Sequence, residues 1–354
     1  MVHTMALFRT LRRLARTVAP ASAGRAGRRS PGPPPDEEVL LDAPDALLGP
    51  ALVQAAAGAW EEAAKLLATT RERADWERRD RVTLRLAAFA RSRPEWFADW
   101  QAAAPHDPDM LLVKAQLALD QGWRSPARAE LLRAVGPLIS AAAEGDVRDP
   151  VPWRLALDQA RGSNDSHTAF ELLWEQALRR APHHYGSHVA ALQYLSAAWY
   201  GSHRECFDFA ERAAQDAHQG SLLRALPARA ALAYLTGPPP GPVAGLSSLV
   251  PRERLDLAAD LGIELSATFP PHDPWHAEIR NVLLCVLTRL GRHQDAAEQL
   301  RLIGPYATSF PWDRFSEDPL GHFLGVREAA LREAARERPG GRGRGAGGTR
   351  TGRP

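Results

Sequence analysis

Two pairs of histidine and cysteine residues in the middle of the chain could supply metal ligands. His184 and His188 are four residues apart, and His203 and Cys206 are three apart. Residues at these spacings share one face of a helix, so two such helices facing each other would offer the nitrogen and sulfur ligands that zinc prefers. The interval between the two pairs matches no common zinc motif. The pattern therefore indicates only a weak candidate metal site, and we predict that the protein uses no cofactor.

The same segment contains a candidate nucleophile. Cys206 lies between His203 and Asp208 in the sequence. A catalytic cysteine needs a converging base, a lowered pKa and a cleft, whereas these three residues follow one another along the start of one predicted helix. We therefore predict no catalytic residue and no enzyme, and we expect Cys206 to pack between helices.

A series of amide side chains forms the second pattern. Gln116, Gln159 and Gln193 each stand eight residues after a predicted helix start, and Asn281 and Thr288 extend the series. An amide both donates and accepts hydrogen bonds, so a row of amides could bind the backbone of an extended peptide. The alternative is that these are ordinary solvated residues on exposed helices.

Helical hairpins must position these side chains. In the clearest one, an apolar helix ends at Gly291, a second helix follows, and Ala296 and Leu300 share its inner face. Glycine suits a chain reversal with positive φ, and a small residue suits the point where two helices cross. The same spacing occurs at two earlier places: Gly58, Ala63 and Leu67, and Gly122, Ala127 and Leu131. Because one hairpin cannot bury its apolar side alone, the pattern predicts a stack of hairpins.

Three groups of residues give this stack a resemblance to the tetratricopeptide repeat, a helical hairpin of about 34 residues. The groups are Ala115–Gly122–Ala127–Leu131, Trp174–Ala177–Pro182 and Gly291–Ala296–Leu300. The resemblance covers most of residues 44–310. It implies an all-α, right-handed superhelical array of about six or seven hairpins, whose first helices line a concave groove that contains the amide series. A non-repetitive helical bundle is the alternative.

A second resemblance comes from the order of more distinctive pieces of sequence. These are Gln193–Leu195, Trp199–His203 with Phe207 and Phe209, and Ile303–Tyr306 with Pro311 and Trp312. They are similar to an uncharacterised bacterial family of repeat proteins known only as a domain of unknown function. No activity follows from this resemblance.

Charge divides the chain into three parts. Residues 1–35 carry seven arginines and no acid, and residues 339–354 carry four arginines and no acid. Residues 36–338 contain all 42 acidic residues against 33 basic ones. We predict an α-solenoid over 36–338, with a capping helix at Leu320–Arg336, between a disordered basic extension and a disordered Gly/Arg-rich tail. The body lacks the basic excess that neutralises phosphates, which argues against a nucleic-acid partner.

The N-terminal extension has its own alternatives. Residues 5–18 could form a basic amphipathic helix, and residues 1–18 could thereby contact an anionic membrane or act in targeting. The remainder of the chain has no run of about 18 apolar residues. With Cys206 and Cys285 as the only cysteines, no disulfide framework is implied, and the cytoplasm is the expected compartment.

These observations favour a non-catalytic scaffold for protein–protein interaction, a monomer that binds an unknown protein or peptide segment in its concave groove. Two alternatives remain open at this point. One is a metal-binding protein or enzyme that uses the histidine-rich segment 182–206. The other is a membrane-peripheral adaptor tethered by its basic N-terminal helix.

Overall fold

The computed structural model describes residues 34–237 and 249–337, and these residues are almost entirely helical. The helices are α1 (Leu48–Ala56), α2 (Glu61–Glu72), α3 (Trp76–Ser92), α4 (Glu95–Ala103), α5 (Pro108–Trp123), α6 (Arg128–Ala134), α7 (Gly136–Ala143), α8 (Val151–Ser163), α9 (His167–Arg180), α10 (Tyr185–Tyr194), α11 (His203–Asp216), α12 (Leu226–Thr236), α13 (Arg252–Ala267), α14 (Ala277–Arg289), α15 (His293–Ile303), α16 (Ser309–Trp312) and α17 (Pro319–Glu337). Two short strands, β1 (Leu40–Leu41) and β2 (Tyr306–Ala307), complete the elements used below. The predicted all-α class is confirmed.

Some sequence predictions fall outside these residues. The basic helix over 5–18, its proposed membrane contact and the Gly/Arg-rich tail lie outside the described residues. Within the described ranges, no helix combines the length and the apolar character needed to cross a membrane.

Two of the three predicted hairpin turns are confirmed. Gly58 has a φ of +92° and Gly291 a φ of +70°, the left-handed conformation that glycine adopts without strain. The alanine and leucine that follow each glycine are buried, as the spacing predicted: Ala63 and Leu67 in α2, Ala296 and Leu300 in α15. The first and last predicted hairpins therefore form in the way the sequence indicates.

The third turn is wrong in its detail. Gly122 lies inside α5, and Leu131 is 44 % exposed, whereas its neighbour Leu132 is fully buried. A Cβ atom at Gly122 would lie 2.8 Å from Leu132 Cδ2. This glycine therefore serves close packing of α6 on α5, and no chain reversal with positive φ occurs there.

Side-chain caps fix where the helices of the central region begin. The Asp75 carboxylate accepts a hydrogen bond from a backbone N–H of α3, and Asp107 does the same for α5. His184 Nδ1 accepts from the backbone N–H of Ser187 and caps α10. Such caps satisfy donors that the helix itself leaves unpaired, so the first turns of these helices are held firmly.

Packing between helices mostly follows the order of the chain, with a helix against the next one to three. For example, α5 contacts α6, α7 and α8, and α12 contacts α11, α13 and α14. Helix α3 also reaches further, to α8 and α10. These longer contacts bring the first turns of α3 into the middle of the molecule.

The two ends of the described chain meet. Strand β1 pairs in parallel with β2, with Leu40 opposite Tyr306 and Leu41 opposite Ala307. The Asp42 carboxylate accepts a hydrogen bond from the backbone N–H of Ser309 at 3.0 Å and another from its hydroxyl. Residues from both ends and from the middle of the described chain line one central cavity. The predicted superhelical array with a concave face remains a prediction.

Candidate functional site

The central cavity has a volume of about 440 Å³, within the range of roughly 300–1,000 Å³ that is typical of ligand pockets. Its walls come from α3, α5, α8, α10, α12 and α14, together with the segments beside α1 and α16. The acidic side chains that line it are Asp42, Asp45, Glu77, Asp80, Asp120, Asp158, Glu278 and Asp313, and the basic ones are Arg81, Arg85, Arg154 and Arg229. The lining is therefore rich in charge and carries an excess of carboxylates.

A buried ion pair joins three of the lining helices. Arg154 of α8 is 4 % exposed, and its Nε donates to Asp80 Oδ1 of α3 at 2.9 Å. Its Nη1 donates to the side-chain carbonyl of Gln116 in α5 at 2.6 Å. The amide of Gln116 then donates to Asp120 at 2.8 Å. Since a buried charge is costly unless it is paired and hydrogen-bonded, this network fixes the relative positions of the three helices.

Two further ion pairs lie among the residues that line the cavity. Arg85 donates to Asp42 at 2.9 Å, and although burial opposes the charged form of Asp42, the hydrogen bond and the charge of Arg85 outweigh it and lower the pKa of that carboxyl. Arg229 donates to the Tyr185 hydroxyl at 2.8 Å and to the Glu278 carboxylate. These four charged groups are thus committed to one another.

Arg81 differs from the other charged groups of the lining. Its guanidinium lies over the Trp275 ring, 3.8 Å from the ring centroid, and it makes no hydrogen bond or ion pair with any residue that the structure describes. Burial lowers the pKa of Arg81, and the charge of Glu278 is the largest influence in the opposite direction. A guanidinium in this state faces the cavity with its five N–H donors free.

Glu77 is the second group with unused capacity. One carboxylate oxygen accepts from the backbone N–H of Tyr185 at 2.7 Å, and the carboxylate has no ion-pair partner within 4.0 Å among the described residues. Burial raises the pKa of Glu77 in spite of the opposing charge of His184 and the hydrogen bond from Tyr185. Glu77 and Arg81 are separated by one turn of α3, and both line the cavity.

Of the predicted amide series, only one member reaches the cavity. Gln193 is exposed and lines it. Gln116 is 4 % exposed, and its amide is fully engaged by Arg154 and Asp120. Gln159 points elsewhere, with its amide 3.5 Å from the carbonyl oxygen of Arg133. Counting residues from a helix start does not determine which face a residue occupies, so the three glutamines do not form a ladder.

The proposed extension of the series is also not formed. Asn281 is fully buried, and its side chain bonds to the Ala277 and Tyr306 carbonyls and to the Trp312 indole. The Thr288 hydroxyl donates to the Leu284 carbonyl of its own helix. Both residues therefore hold α14 in place and have no free group for a peptide.

The structure does not bring His184, His188, His203 and Cys206 together. Each has its own surroundings: His184 beside Asp80, His188 against aromatic rings, His203 against the Tyr234 ring, and Cys206 donating to the Leu192 carbonyl. Within the described ranges, no three His, Cys, Asp or Glu side chains are placed to hold a metal ion. Burial raises the pKa of Cys206 to about 12, which disfavours the nucleophilic thiolate; Cys206 is packed between helices, as predicted.

Sequence reasoning missed Glu77 and Arg81 because the apolar pattern that identifies their helix begins only at Val82. Helix α3 begins six residues earlier, at Trp76. The signal that could have located it is Asp75, a residue type strongly preferred as a helix cap. An earlier start places Glu77 and Arg81 at i and i+4, and so on one face.

Two glutamine substitutions separate a structural amide from one that faces the cavity. We expect Gln116→Ala to lower the free energy of unfolding by about 1–3 kcal/mol, because Arg154 then loses a buried hydrogen-bond partner. We expect Gln193→Ala to change it by no more than about 0.5 kcal/mol, since its side chain is exposed. Urea unfolding followed by circular dichroism measures both, and equal losses for the two variants would contradict the assignment.

Comparison of the chain with protein-family models, with curated proteins and with solved structures found no match.

Proposed function

We propose that this protein is a non-catalytic binding protein that holds a segment of a polypeptide in its central cavity. The observation that carries this proposal is the contrast within the lining. Most of its charged groups pair with one another, whereas Arg81, Glu77 and Gln193 keep donors or acceptors free toward the same space. Fixed walls with a few uncommitted polar groups are the usual composition of a binding pocket.

A polypeptide segment suits this lining for two reasons. Backbone and side-chain groups of a peptide both donate and accept hydrogen bonds. Such a ligand can accept from Arg81 and donate to Glu77. The cavity also has apolar and aromatic surface, including Trp275, Phe310 and Val189, against which a side chain can pack. A volume of about 440 Å³ accommodates a short stretch of chain, and we propose that the ligand inserts one end or one side chain.

The packing order of the helices supports the accompanying structural proposal, a superhelical array of tetratricopeptide-like hairpins. Each helix contacts its nearest neighbours in the chain, as stacked hairpins do. The contact between β1 and β2 then closes the array, which would turn the concave face of such a stack into the observed cavity.

Blocking the cavity tests the binding function. Full-length protein is incubated with a soluble library of all tripeptides, separated from unbound peptide by gel filtration, and analysed for retained peptides by mass spectrometry. We expect the wild type to retain a defined subset, and Gln193→Trp to lose it because an indole at this exposed position fills the cavity mouth.

Gln215→Trp is the matched control, since Gln215 is an exposed glutamine of α11 that does not line the cavity. This variant should retain the same peptides as the wild type. The proposal is abandoned if the wild type retains no peptide, or if both tryptophan variants behave alike.

A further inference from the structure

Arg81 lies against Trp275 while its own donors stay unused. Its Cζ atom lies over the Trp275 ring, 3.8 Å from the ring centroid, an arrangement favoured by the negative charge density of the ring face. Its guanidinium makes no hydrogen bond or ion pair with any described residue, so its N–H groups remain available. Such a guanidinium can donate two parallel hydrogen bonds to the two oxygens of a carboxylate or phosphate group.

A neighbouring arginine, which lies near the same tryptophan ring, has its N–H donors paired with carboxylates. Arg78 also lies near the Trp275 ring, at 4.7 Å, but its Nη1 donates to Asp45 at 2.7 Å and its Nε to Asp75 at 3.1 Å. Arg78 therefore has a structural role at the start of α3. Arg81, one turn away from that ion pair, has no such partner in the described part of the chain.

The balance of charge around Arg81 discriminates between anions. Eight carboxylates and four guanidinium groups line the cavity, and the charges of Glu278, Asp45 and Glu77 act on Arg81 against that of Arg85. A phosphate dianion would be repelled by this excess of negative charge. A ligand that carries one carboxylate and one positive charge would not be repelled in this way, because its positive charge offsets its negative one.

Glu77 supplies the complementary position. It precedes Arg81 by four residues on α3, so the two side chains project from the same face of the helix. Its second carboxylate oxygen has no partner among the described residues, and it accepts hydrogen bonds when ionised. A cationic group beside Glu77 would be stabilised by that carboxylate while a carboxylate of the same ligand occupies Arg81.

We propose that Arg81 and Glu77 recognise a zwitterionic group, with a carboxylate of the ligand on Arg81 and an ammonium group on Glu77. The ligand class is a basic amino acid, either free or as the C-terminal residue of a peptide. This inference rests on the proposed binding function and names the chemistry of the ligand in the same cavity.

Isothermal titration calorimetry of the full-length protein tests it with five probes: L-lysine, N-acetyl-Ala-Ala-Lys, its C-terminal amide, N-acetyl-Ala-Ala-norleucine and inorganic phosphate. The amide lacks the carboxylate and the norleucine peptide lacks the ammonium group. We expect each of these two to bind at least about tenfold more weakly than N-acetyl-Ala-Ala-Lys, since each loses a charge-assisted hydrogen bond. Tighter binding of L-lysine than of the lysine peptide identifies the free amino acid as the ligand, and the reverse identifies a peptide terminus.

Variants then assign each contact. Arg81→Gln should remove the difference in affinity between the lysine peptide and its C-terminal amide. Arg81→Lys keeps the positive charge but lacks the paired N–H donors of a guanidinium, so it should reduce that difference. Glu77→Gln should remove the difference between lysine and norleucine. The matched controls are Arg73→Gln and Glu72→Gln, which change the same charges at exposed positions outside the cavity and should bind as the wild type does.

The proposal is overturned if neither lysine probe binds the wild type, if phosphate binds as tightly as they do, or if Arg81→Gln and Arg81→Lys leave the preference for the acid intact. Failure here is distinguishable from failure of the proposed function. If the tripeptide library is retained in a manner that depends on Gln193, but the retained peptides lack a basic C-terminal residue, the binding function stands and the zwitterion does not.

Discussion

Replacing Arg79 by methionine is expected to lower the free energy of unfolding by about 3–5 kcal/mol, the usual cost of removing one partner of a buried ion pair. Arg79 is 1 % exposed, and it donates to Asp109 at 2.7 Å and to Asp149 on the turn before α8. It also donates to the Leu67 carbonyl at 3.0 Å. The Leu67 carbonyl keeps its hydrogen bond from the Thr70 hydroxyl at 2.7 Å, and methionine fills a similar volume, so the loss comes from the buried carboxylates left without Arg79.

Removal of Arg79 affects the carboxylates of Asp109 and Asp149 unequally. Arg71 also donates to Asp109, at 3.2 Å, and can partly compensate there. Asp149 has no second ion-pair partner within the described ranges. Burial raises the pKa of Asp149, and Arg79 is the main group that opposes this rise. We therefore expect most of the destabilisation to come from Asp149.

Urea unfolding of Arg79→Met followed by circular dichroism gives the loss directly. Adding Asp149→Asn should recover part of the loss, because it removes the buried charge and keeps an acceptor for the backbone N–H of Val151. Arg332→Met is the control, since Arg332 forms an exposed ion pair with Glu328, and such pairs contribute little. A midpoint for Arg79→Met equal to that of the control would show that the buried network does not stabilise the fold.

Local features of the fold were predictable because they depend on neighbouring residues. Gly58 and Gly291 mark reversals, and the alanine and leucine that follow each of them are buried as their spacing predicted. The pairing of Leu40 with Tyr306 joins residues that are far apart in the sequence, and two-residue strands carry no periodic signal. The meeting of these distant segments beside the cavity was therefore not visible in any window of the chain.

The candidate site was missed for a related reason. The first turns of α3, from Trp76 to Arg81, are almost all charged and show no apolar face. Such a segment is usually a solvated surface, and the amphipathic pattern that identifies a helix begins only at Val82. Here the charged side chains face a central cavity and the ion pairs around it. Periodicity distinguishes core from surface, but it does not distinguish outer surface from the lining of a cavity.

Acidification is expected to destabilise the protein through His188. This side chain is fully buried against the rings of Trp174 and Phe209, at 5.0 and 5.8 Å between centroids. Its Nδ1 must carry the proton, because it donates to the carbonyl of His184 at 2.9 Å; Nε2 has no partner in the described part of the protein. Burial lowers the pKa of His188 to about 4.

The sign of the effect follows from linkage between protonation and folding. An unfolded histidine has a pKa of about 6.5, so between pH 6.5 and 4 the unfolded chain binds a proton at this position and the folded one does not. The contribution of His188 to the free energy of unfolding is therefore fully present above pH 6.5 and is lost as the pH is lowered toward 4. At about 1.4 kcal/mol for each pH unit, the total loss is about 3 kcal/mol.

The difference between wild type and His188→Phe isolates this contribution, because buried carboxylates such as Glu77 and Asp120 titrate in both proteins and cancel. Phenylalanine preserves the ring packing but binds no proton. In urea titrations from pH 7 to pH 4, the wild type should lose about 3 kcal/mol relative to this variant. A pH-independent difference between the two proteins would mean that the folded protein admits a charge at position 188, through water or a local opening. The interior between α9, α10 and α11 would then be less tightly closed than its packing indicates.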